Sequence, residues 1–340
     1  MRSMDTLLLN RTQVATLLTI EECIAAVERA FKLRALGEVL PPGILGVHAT
    51  EGGFHIKAGI MPVRTSNNLA RHYFVAKTNA NFPQNMKRNG LPTIQGVIVV
   101  CDAENGRLLA VMDSIEITII RTGAATAVAA NYLSRRDATI ATICGCGNQG
   151  RISLNAIMKV RALETVYAYD TDPLLSKQFA KEQGEAFRIS VIASDDLSNV
   201  IRESHICVTC TPSKKYFLKQ NDVMPGTFIA AVGADSEDKQ ELEPALLASS
   251  KLVVDSLEQC AGIGELHHAI EQGGMTRDSV HAELGEIIAG KKEGRRASDE
   301  VIIFDSTGTA LQDVAAAAIV YEKAIQMGMG TKINFAEQAK

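Results

Sequence analysis

Residues 139–150 read TIATICGCGNQG, in which the β-branched run Thr139–Cys144 leads directly into a glycine-rich loop. A helical pattern follows the loop to about residue 160. The three glycines suit, in order, a tight turn, close approach of the backbone to a pyrophosphate, and close helix–strand packing. The start of the helix adds free N–H groups and a partial positive charge. The stretch predicts a Rossmann-type dinucleotide site whose cofactor-binding residues are Gly145, Gly147, Asn148, Gln149 and Gly150.

Asp170 ends the next predicted strand, twenty residues beyond Gly150. An acid at this place accepts hydrogen bonds from the adenosine ribose hydroxyls and repels a 2′-phosphate. Neither Arg nor Lys follows at once, because the next residues are Thr171, Asp172 and Pro173. The sequence therefore predicts NAD as the cofactor in preference to NADP. The alternative interpretation is a glycine-rich turn beside an exposed acid.

Strand-like and helical runs alternate from residue 139 onward, which is typical of a doubly wound parallel sheet. The predicted strands are 139–144, 165–169, 189–192, 205–210, 227–232, 251–255 and 300–304. The first third of the chain differs, because a helix at Ile20–Leu36, closed by Gly37, precedes several short strand-like runs. These runs are 54–60, 73–76, 96–102 and 107–112, the last two joined by the hairpin signal Asn105-Gly106. Two further helices are predicted at 113–133 and 306–327.

The predicted fold class is α/β, with two domains. Residues 126–304 form a Rossmann-type doubly wound parallel sheet domain. Residues 1–125 with 305–340 form an α+β substrate-binding and dimerisation domain, to which the tail 328–340 returns. An open sheet edge in this second domain could be closed by pairing across a twofold axis, so a homodimer is expected.

Composition and charge narrow the possible partners of the chain. The 340 residues are 46% hydrophobic and 22% charged, with a net charge of −4 and no long basic run. Neither nucleic acid nor a membrane is an expected partner. No stretch approaches the roughly 20 apolar residues of a membrane span, and the three consecutive leucines before Asn10 are too few for a signal-peptide core, so a cytoplasmic location is expected. Cys207 and Cys210 have CxxC spacing but lie on a predicted strand, where they would face opposite sides, so no metal site is predicted.

Several segments, in order along nearly the whole chain, carry a resemblance to a known family. They are Lys77–Asn81, Gly90–Thr93, Ala110–Asp113, Ile120–Ala124, the Gly145 loop, Ala231–Asp235, Val280–Glu286 and Phe304–Gly308. Together they resemble the ornithine cyclodeaminase/mu-crystallin family. Its members include ornithine and lysine cyclodeaminases, alanine dehydrogenases, ketimine and pyrroline-2-carboxylate reductases and mu-crystallins. The resemblance implies hydride chemistry at an amino or imino carbon, and it also implies a homodimer.

The resemblance implies roles for three polar residues. Arg121 matches the arginine that clamps the substrate carboxylate, a task that suits a planar guanidinium. Lys77 matches a lysine beside the carboxylate and imine, and its apolar surroundings give a reason for a lowered pKa and proton transfer. Asp235 matches an aspartate that accepts a proton from the substrate amine or stabilises an iminium. The alternatives are a solubility lysine on an edge strand for Lys77 and a helix N-cap for Asp235.

The resemblance also assigns further contacts and shows two departures. It places Thr93, Thr209, Thr211, Val232 and Ser306 among the cofactor-binding residues. The family's basic residue after the Pro-Pro segment is replaced by Gly43, and Lys57 on a neighbouring predicted strand is a candidate substitute for binding the substrate carboxylate. The segment 58–60 lacks the acid that would hold the distal amine of ornithine, which counts against cyclodeamination because a buried ammonium needs a partner.

The sequence therefore predicts an NAD(H)-dependent oxidoreductase that interconverts a small L-amino acid and its imino or oxo acid. Its catalytic residues would be Lys77, Asp235 and Arg121, and Lys57 would join Arg121 and Lys77 in binding the substrate. One alternative is an ornithine or lysine cyclodeaminase with catalytic NAD. Another is a non-catalytic, crystallin-like protein that binds the cofactor, against which the presence of both Lys77 and Arg121 counts.

Overall fold

A computed structural model describes residues 5–64 and 70–335 of the chain. It divides into two compact units, unit 1 comprising Met1–Arg121 with Thr309–Lys340 and unit 2 comprising Thr122–Gly308. The divisions fall near residues 121 and 308 instead of the expected 125 and 304. Two local contacts account for this: Gly123 lies against Ile152, and residues 306–308 bond to Asp255, all within unit 2.

The strands and helices are numbered in chain order. The strands are β1 (Thr6–Leu9), β2 (Gly43–Ala49), β3 (Gly52–Arg64), β4 (Ala70–Asn81), β5 (Ile94–Asp102), β6 (Leu108–Asp113), β7 (Ile140–Cys144), β8 (Thr165–Tyr169), β9 (Ser190–Ala193), β10 (Ile206–Thr209), β11 (Lys214–Leu218), β12 (Phe228–Ala231), β13 (Gln240–Leu242), β14 (Lys251–Val254), β15 (Ala282–Glu283), β16 (Ile302–Asp305) and β17 (Thr331–Ile333). The helices are α1 (Arg11–Leu17), α2 (Ile20–Leu36), α3 (Asn85–Asn89), α4 (Ile115–Leu133), α5 (Asn148–Ile157), α6 (Pro173–Phe187), α7 (Leu197–Glu203), α8 (Pro244–Ala248), α9 (Leu257–Ile263), α10 (Glu265–Glu271), α11 (Leu284–Ile288) and α12 (Ala310–Met327).

Unit 1 is built on one sheet with the strand order β17-β1-β6-β5-β4-β3-β2. All neighbouring strands are antiparallel except β1 and β6, which are parallel. Helix α12 packs against β3, β4 and α2. Helix α2 has the predicted bounds, because Thr19 and Glu22 form a capping box at its start and Gly37 adopts φ 76° at its end. Strands β3 and β4 are longer than predicted: β3 continues past residue 60 through Met61 and Pro62, and β4 continues past residue 76 through Lys77, because proline and lysine weaken a strand pattern without preventing pairing here.

Unit 2 contains a parallel sheet with the order β15-β14-β16-β12-β10-β7-β8-β9, as the alternating pattern predicted. Strands β8 and β9 lie on one side of β7, and the chain then crosses to place β10 on the other side. The carboxyl ends of β7 and β10 therefore flank the point where the strand order reverses, which is where ligands bind in such sheets. Buried apolar side chains from β10, β12, β14 and β16 form the core beneath this edge.

One predicted helix needs correction, whereas the tail returns to the first domain as predicted. The last helix begins at Ala310 and not at residue 306, because Ser306 and Gly308 instead bond to Asp255. In the tail, β17 pairs with β1 of unit 1. The final residues 336–340, like residues 1–4 and 65–69, lie outside the described residues. Among the helices of the described part, none is long and apolar enough to cross a bilayer.

Candidate functional site

The glycine loop of unit 2 has the backbone that a dinucleotide requires. Gly145 has φ 104°, a conformation that side chains disfavour, and a Cβ there would lie 3.0 Å from the Cys210 carbonyl oxygen. A Cβ on Gly150 would lie 2.1 Å from the carbonyl oxygen of Gly145, so the helix and strand pack too closely for any other residue. Gly147 has open space within 4 Å of its Cβ position, at the start of α5. The loop therefore fits a pyrophosphate against free backbone N–H groups.

Four other predicted cofactor residues lie at the same carboxyl edge of the sheet. Asp170 follows β8, and its Oδ2 accepts a hydrogen bond of 2.9 Å from the backbone N–H of Cys146 inside the glycine loop. The buried Thr209 ends β10, and its carbonyl oxygen accepts a hydrogen bond of 2.9 Å from the N–H of Val232. Ser306 follows β16 and donates its N–H to Ala231 at 3.0 Å. The fold thus brings Asp170, Thr209, Val232 and Ser306 together around the glycine loop.

Buried carboxylates that the sequence analysis missed hold two of these loops. The hydroxyl of Ser306 donates to Asp255 Oδ2 at 2.9 Å, and the N–H of Gly308 donates to the same oxygen at 2.7 Å. The N–H of Thr211 donates to Glu241 Oε1 at 2.6 Å. Asp255 directly follows β14 and Glu241 lies on β13, and both acids are almost fully buried. They fix loop backbones from inside the protein.

Two further predicted residues, Asp235 and Thr93, are exposed. Asp235 is exposed and pairs with Lys239, whose Nζ lies 2.6 Å from Asp235 Oδ1. No helix of the described residues begins at this place, so the structure does not support the alternative that Asp235 is an N-cap. Thr93 is an exposed residue of unit 1, and its carbonyl oxygen accepts the N–H of Phe82 at 2.8 Å. The functional roles of Asp235 and Thr93 stay predictions.

Unit 1 brings together the predicted substrate residues and one more acid. Lys77 lies on β4, which is flanked by β3 and β5, and it is 3% exposed, so it is not an edge-strand lysine. Its Nζ lies 2.8 Å from Asp313 Oδ1 on α12. Arg121 on α4 places Nε 3.3 Å from the same oxygen and donates from an η nitrogen to Gln312 Oε1 at 3.0 Å. Lys77, Arg121, Gln312 and Asp313 therefore form one buried cluster.

Lys57 adds a third cation to this cluster. It lies on β3 directly opposite Lys77 on β4, and opposed residues of antiparallel strands present their side chains on the same face. Its charge acts on the pKa of both Lys77 and Asp313. Gly43, at the place where the family has a basic residue, pairs with Ala58 next to Lys57. This pairing puts Lys57 next to the position of Gly43, as the predicted substitution requires. The role of Lys57 in binding the substrate remains a prediction.

Burial and charge adjust the ionisation of the cluster. Burial lowers the pKa of Lys77 to about 7, and the neighbouring Arg121 and Lys57 charges add to this, while Asp313 opposes it. Burial alone would raise the pKa of Asp313, but the charges of Lys77 and Arg121 hold that pKa below its usual range. Lys77 is therefore a group that can gain or lose a proton near neutral pH, beside a carboxylate that stays ionised.

Some polar atoms of the cluster lack a hydrogen-bond partner among the described residues. Within the part of the chain that the structure describes, Asp313 Oδ2 and Gln312 Nε2 are buried without a hydrogen-bond partner. Buried polar atoms are nearly always paired, so such atoms indicate a place for substrate or water. The sequence analysis missed Gln312 and Asp313. A signal was present, since an amide and an acid interrupt the otherwise apolar run Ala310–Val320.

Comparisons with known proteins agree with these features. A sequence model of the ornithine cyclodeaminase/mu-crystallin family matches residues 4–328 of the chain. Alanine dehydrogenase of Archaeoglobus fulgidus is 38% identical over 333 residues, which cover 98% of this chain and 99% of that protein. An archaeal alanine dehydrogenase dimer with bound NAD superposes with a TM-score of 0.92 at 37% identity, covering 97% of this chain and 99% of that chain. The Thermococcus litoralis Delta(1)-pyrroline-2-carboxylate reductase, in complex with NADH and L-proline, has a TM-score of 0.87 at 33% identity and covers 96% of this chain and 100% of that chain.

Proposed function

Because the chain belongs to the ornithine cyclodeaminase/mu-crystallin family, we propose that it is an NAD(H)-dependent oxidoreductase that interconverts a small L-amino acid and its imino or oxo acid. Two of the relatives named above support this substrate class. One is an alanine dehydrogenase and the other a Delta(1)-pyrroline-2-carboxylate reductase, and both names refer to a small carboxylic acid. A cytoplasmic location and a homodimer remain part of the proposal.

The observation that carries the proposal is the excess of positive charge in the buried cluster of unit 1. Lys57, Lys77 and Arg121 are each less than a tenth exposed, and the single carboxylate of Asp313 pairs with both Lys77 and Arg121. Burying charge without a counter-charge costs free energy, so the cluster favours an anionic ligand. An α-carboxylate supplies that charge, and its two oxygens suit the guanidinium of Arg121.

Lys77 and Asp313 handle the amino end of the substrate in this proposal. Lys77, with a pKa of about 7, accepts a proton when the amine is oxidised and returns it when the imine is reduced. Asp313 Oδ2, which lacks a partner in the described residues, is placed to accept a hydrogen bond from a substrate N–H group. In unit 2, the glycine loop, Asp170, Thr209, Val232 and Ser306 hold NAD(H). When bound, NAD(H) takes up or supplies the hydride at the substrate α-carbon.

The proposal is tested by following NADH absorbance with the purified protein. A dehydrogenase consumes NADH with a 2-oxo acid only when ammonium is present, whereas an imine reductase consumes it with a cyclic imino acid without ammonium. A panel of both substrate types, each with and without ammonium, therefore separates the two reactions. We expect consumption with at least one small substrate. Absence of turnover with the whole panel, despite NADH binding, would instead support the non-catalytic alternative.

The cyclodeaminase alternative makes a different prediction in the same assay. Ornithine or lysine would release ammonium with no net change in NADH, because the cofactor is reduced and reoxidised within one turnover. We expect no such release, since the segment 58–60 provides no acid for a distal ammonium group.

A further inference from the structure

Glu241 on β13 joins two loops at the carboxyl edge of the parallel sheet in unit 2. Its Oε1 accepts the backbone N–H of Thr211 at 2.6 Å, and its Oε2 accepts the backbone N–H of Gly233 at 3.1 Å. Thr211 follows β10 and Gly233 follows β12. One fully buried carboxylate therefore sets the separation of the two loops that carry the predicted cofactor residues Thr209 and Val232.

The fit around this carboxylate leaves no spare space. A Cβ added to Gly233 would lie 2.5 Å from Glu241 Oε2 and 2.6 Å from the carbonyl oxygen of Thr211. Both distances are shorter than side-chain carbons adopt, so the backbone of Gly233 touches the carboxylate directly. A second buried acid fixes β13 itself, because Glu265 accepts the N–H of Glu241 at 2.8 Å and that of Leu242 at 3.0 Å.

These two acids are buried at a cost in free energy. Burial raises the pKa of Glu241, and burial together with the Glu241 charge raises the pKa of Glu265 well above its usual range. Both residues are thus costly to keep ionised in the interior. Glu241 and Glu265 together accept four backbone N–H groups, which would lose their partners if apolar residues stood here. Of the two acids, Glu241 is the one whose accepted N–H groups lie in the loops that carry predicted cofactor residues.

We propose that Glu241 is a positioning residue for the nicotinamide dinucleotide: its carboxylate holds the loops after β10 and β12 in the separation that the cofactor needs. This inference rests on the proposed function, since it takes Thr209 and Val232 as cofactor contacts. Glu241 acts through backbone N–H groups and is not itself assigned a contact with the cofactor. Cofactor affinity, and not only stability, then depends on it.

Glu241→Gln tests the proposal, and Glu243→Gln is its matched control. Glutamine keeps one oxygen that can accept a hydrogen bond, but its NH2 group would face the second backbone N–H. Two donors cannot bond to each other, so one of the two loops loses its hydrogen bond. Glu243, two residues away, also accepts a backbone N–H, from Gln220 at 2.8 Å, but in a turn away from these loops. We expect Glu241→Gln to raise the NADH dissociation constant about tenfold or more, and Glu243→Gln to leave it within about twofold. Fluorescence titration well below each variant's Tm measures both.

A double-mutant cycle keeps the test informative if Glu241→Gln is poorly stable. Gly233→Ala and Glu241→Asp each displace the same carboxylate contact, so their effects on NADH affinity should be much less than additive. Unchanged NADH affinity in Glu241→Gln, with a lowered Tm alone, would make Glu241 merely structural and overturn the proposal. Fully additive effects in the cycle would overturn it as well. If the wild-type protein binds NADH, either result leaves the proposed function standing; if it does not, both fail.

Discussion

At the scale of single residues, we expect catalysis to depend on the ionisation of Lys77. Burial lowers its pKa to about 7, so neutral and charged forms coexist near physiological pH. We predict that Lys77→Met, which keeps the length of the side chain, lowers kcat by about a hundredfold or more, because a proton carrier is lost. Steady-state kinetics in both directions measure this. A nearly normal kcat would mean that Lys77 only fills space.

Arg121 provides a contrast within the same cluster. Arg121→Lys keeps the charge but loses the planar pair of donors, so binding should weaken in both the ground state and the transition state. We predict a KM for the amino or oxo acid that rises about tenfold or more, with a smaller fall in kcat. NADH affinity, titrated separately, should stay within about twofold. A fall in kcat at unchanged KM would place Arg121 in the chemical step instead.

Asp313 pairs with both Lys77 and Arg121, and we expect it to set the pH dependence of activity. Its negative charge raises the pKa of Lys77, so Asp313→Asn should lower that pKa below its present value of about 7. In the oxidative direction the neutral amine of Lys77 is the active form, and activity therefore rises as pH increases through its pKa. We predict that Asp313→Asn moves this rise to lower pH, as seen in a profile of kcat/KM. A rise that stays in place, or moves to higher pH, would contradict the assignment.

At the scale of elements, we expect the end of β8 to determine the choice of cofactor. Asp170 lies there with Oδ2 bonded to the glycine loop, and a 2′-phosphate at this place would meet its charge. We predict that NADH binds about tenfold or more tightly than NADPH, a difference of about 1.4 kcal/mol or more. Asp170→Asn should reduce the ratio, whereas Asp172→Asn, which alters the exposed cap of α6, should not. Equal affinity of the wild-type protein for both cofactors, by fluorescence titration, would refute this.

At the scale of the whole molecule, the sheet of unit 1 ends in a strand suited to pairing with a second copy. β2 is one of the two edge strands, all its residues are exposed, and Ile44, Leu45 and Val47 are apolar. A long exposed apolar edge strand is rare in a monomer, because it invites association. We predict a homodimer closed through β2, observed by sedimentation velocity at micromolar concentration.

Two matched variants test the place of this contact. Leu45→Lys on β2 should yield a monomer, because it introduces a charge into the interface. Leu174→Lys on α6 of unit 2, where the leucine is 74% exposed against 56% for Leu45, should remain dimeric. A wild-type monomer would refute the dimer, and a dimeric Leu45→Lys variant would refute its location.

Local spacing in the sequence was enough to predict the features whose physics is local. Three such features are the glycine loop, the acid twenty residues beyond it and the capped helix α2. Each depends on residues that are near one another in the sequence. The alternation of strands and helices likewise predicted the parallel sheet of unit 2, because each buried strand and amphipathic helix carries its own periodicity. The substrate residues Arg121 and Lys77 came from the family resemblance and not from spacing.

The tertiary structure alone determined how distant residues combine. Lys77 and Asp313 are 236 positions apart, and no periodicity in the chain relates them. Glu241 and Thr211 lie on different segments whose backbones meet only in the folded sheet. A buried charge is stable only beside partners that the fold supplies, so the sequence reveals the unusual acid but not its partner. The sequence by itself therefore determined the cofactor loop and the fold class, while packing determined the charged cluster and the carboxylates beneath the loops.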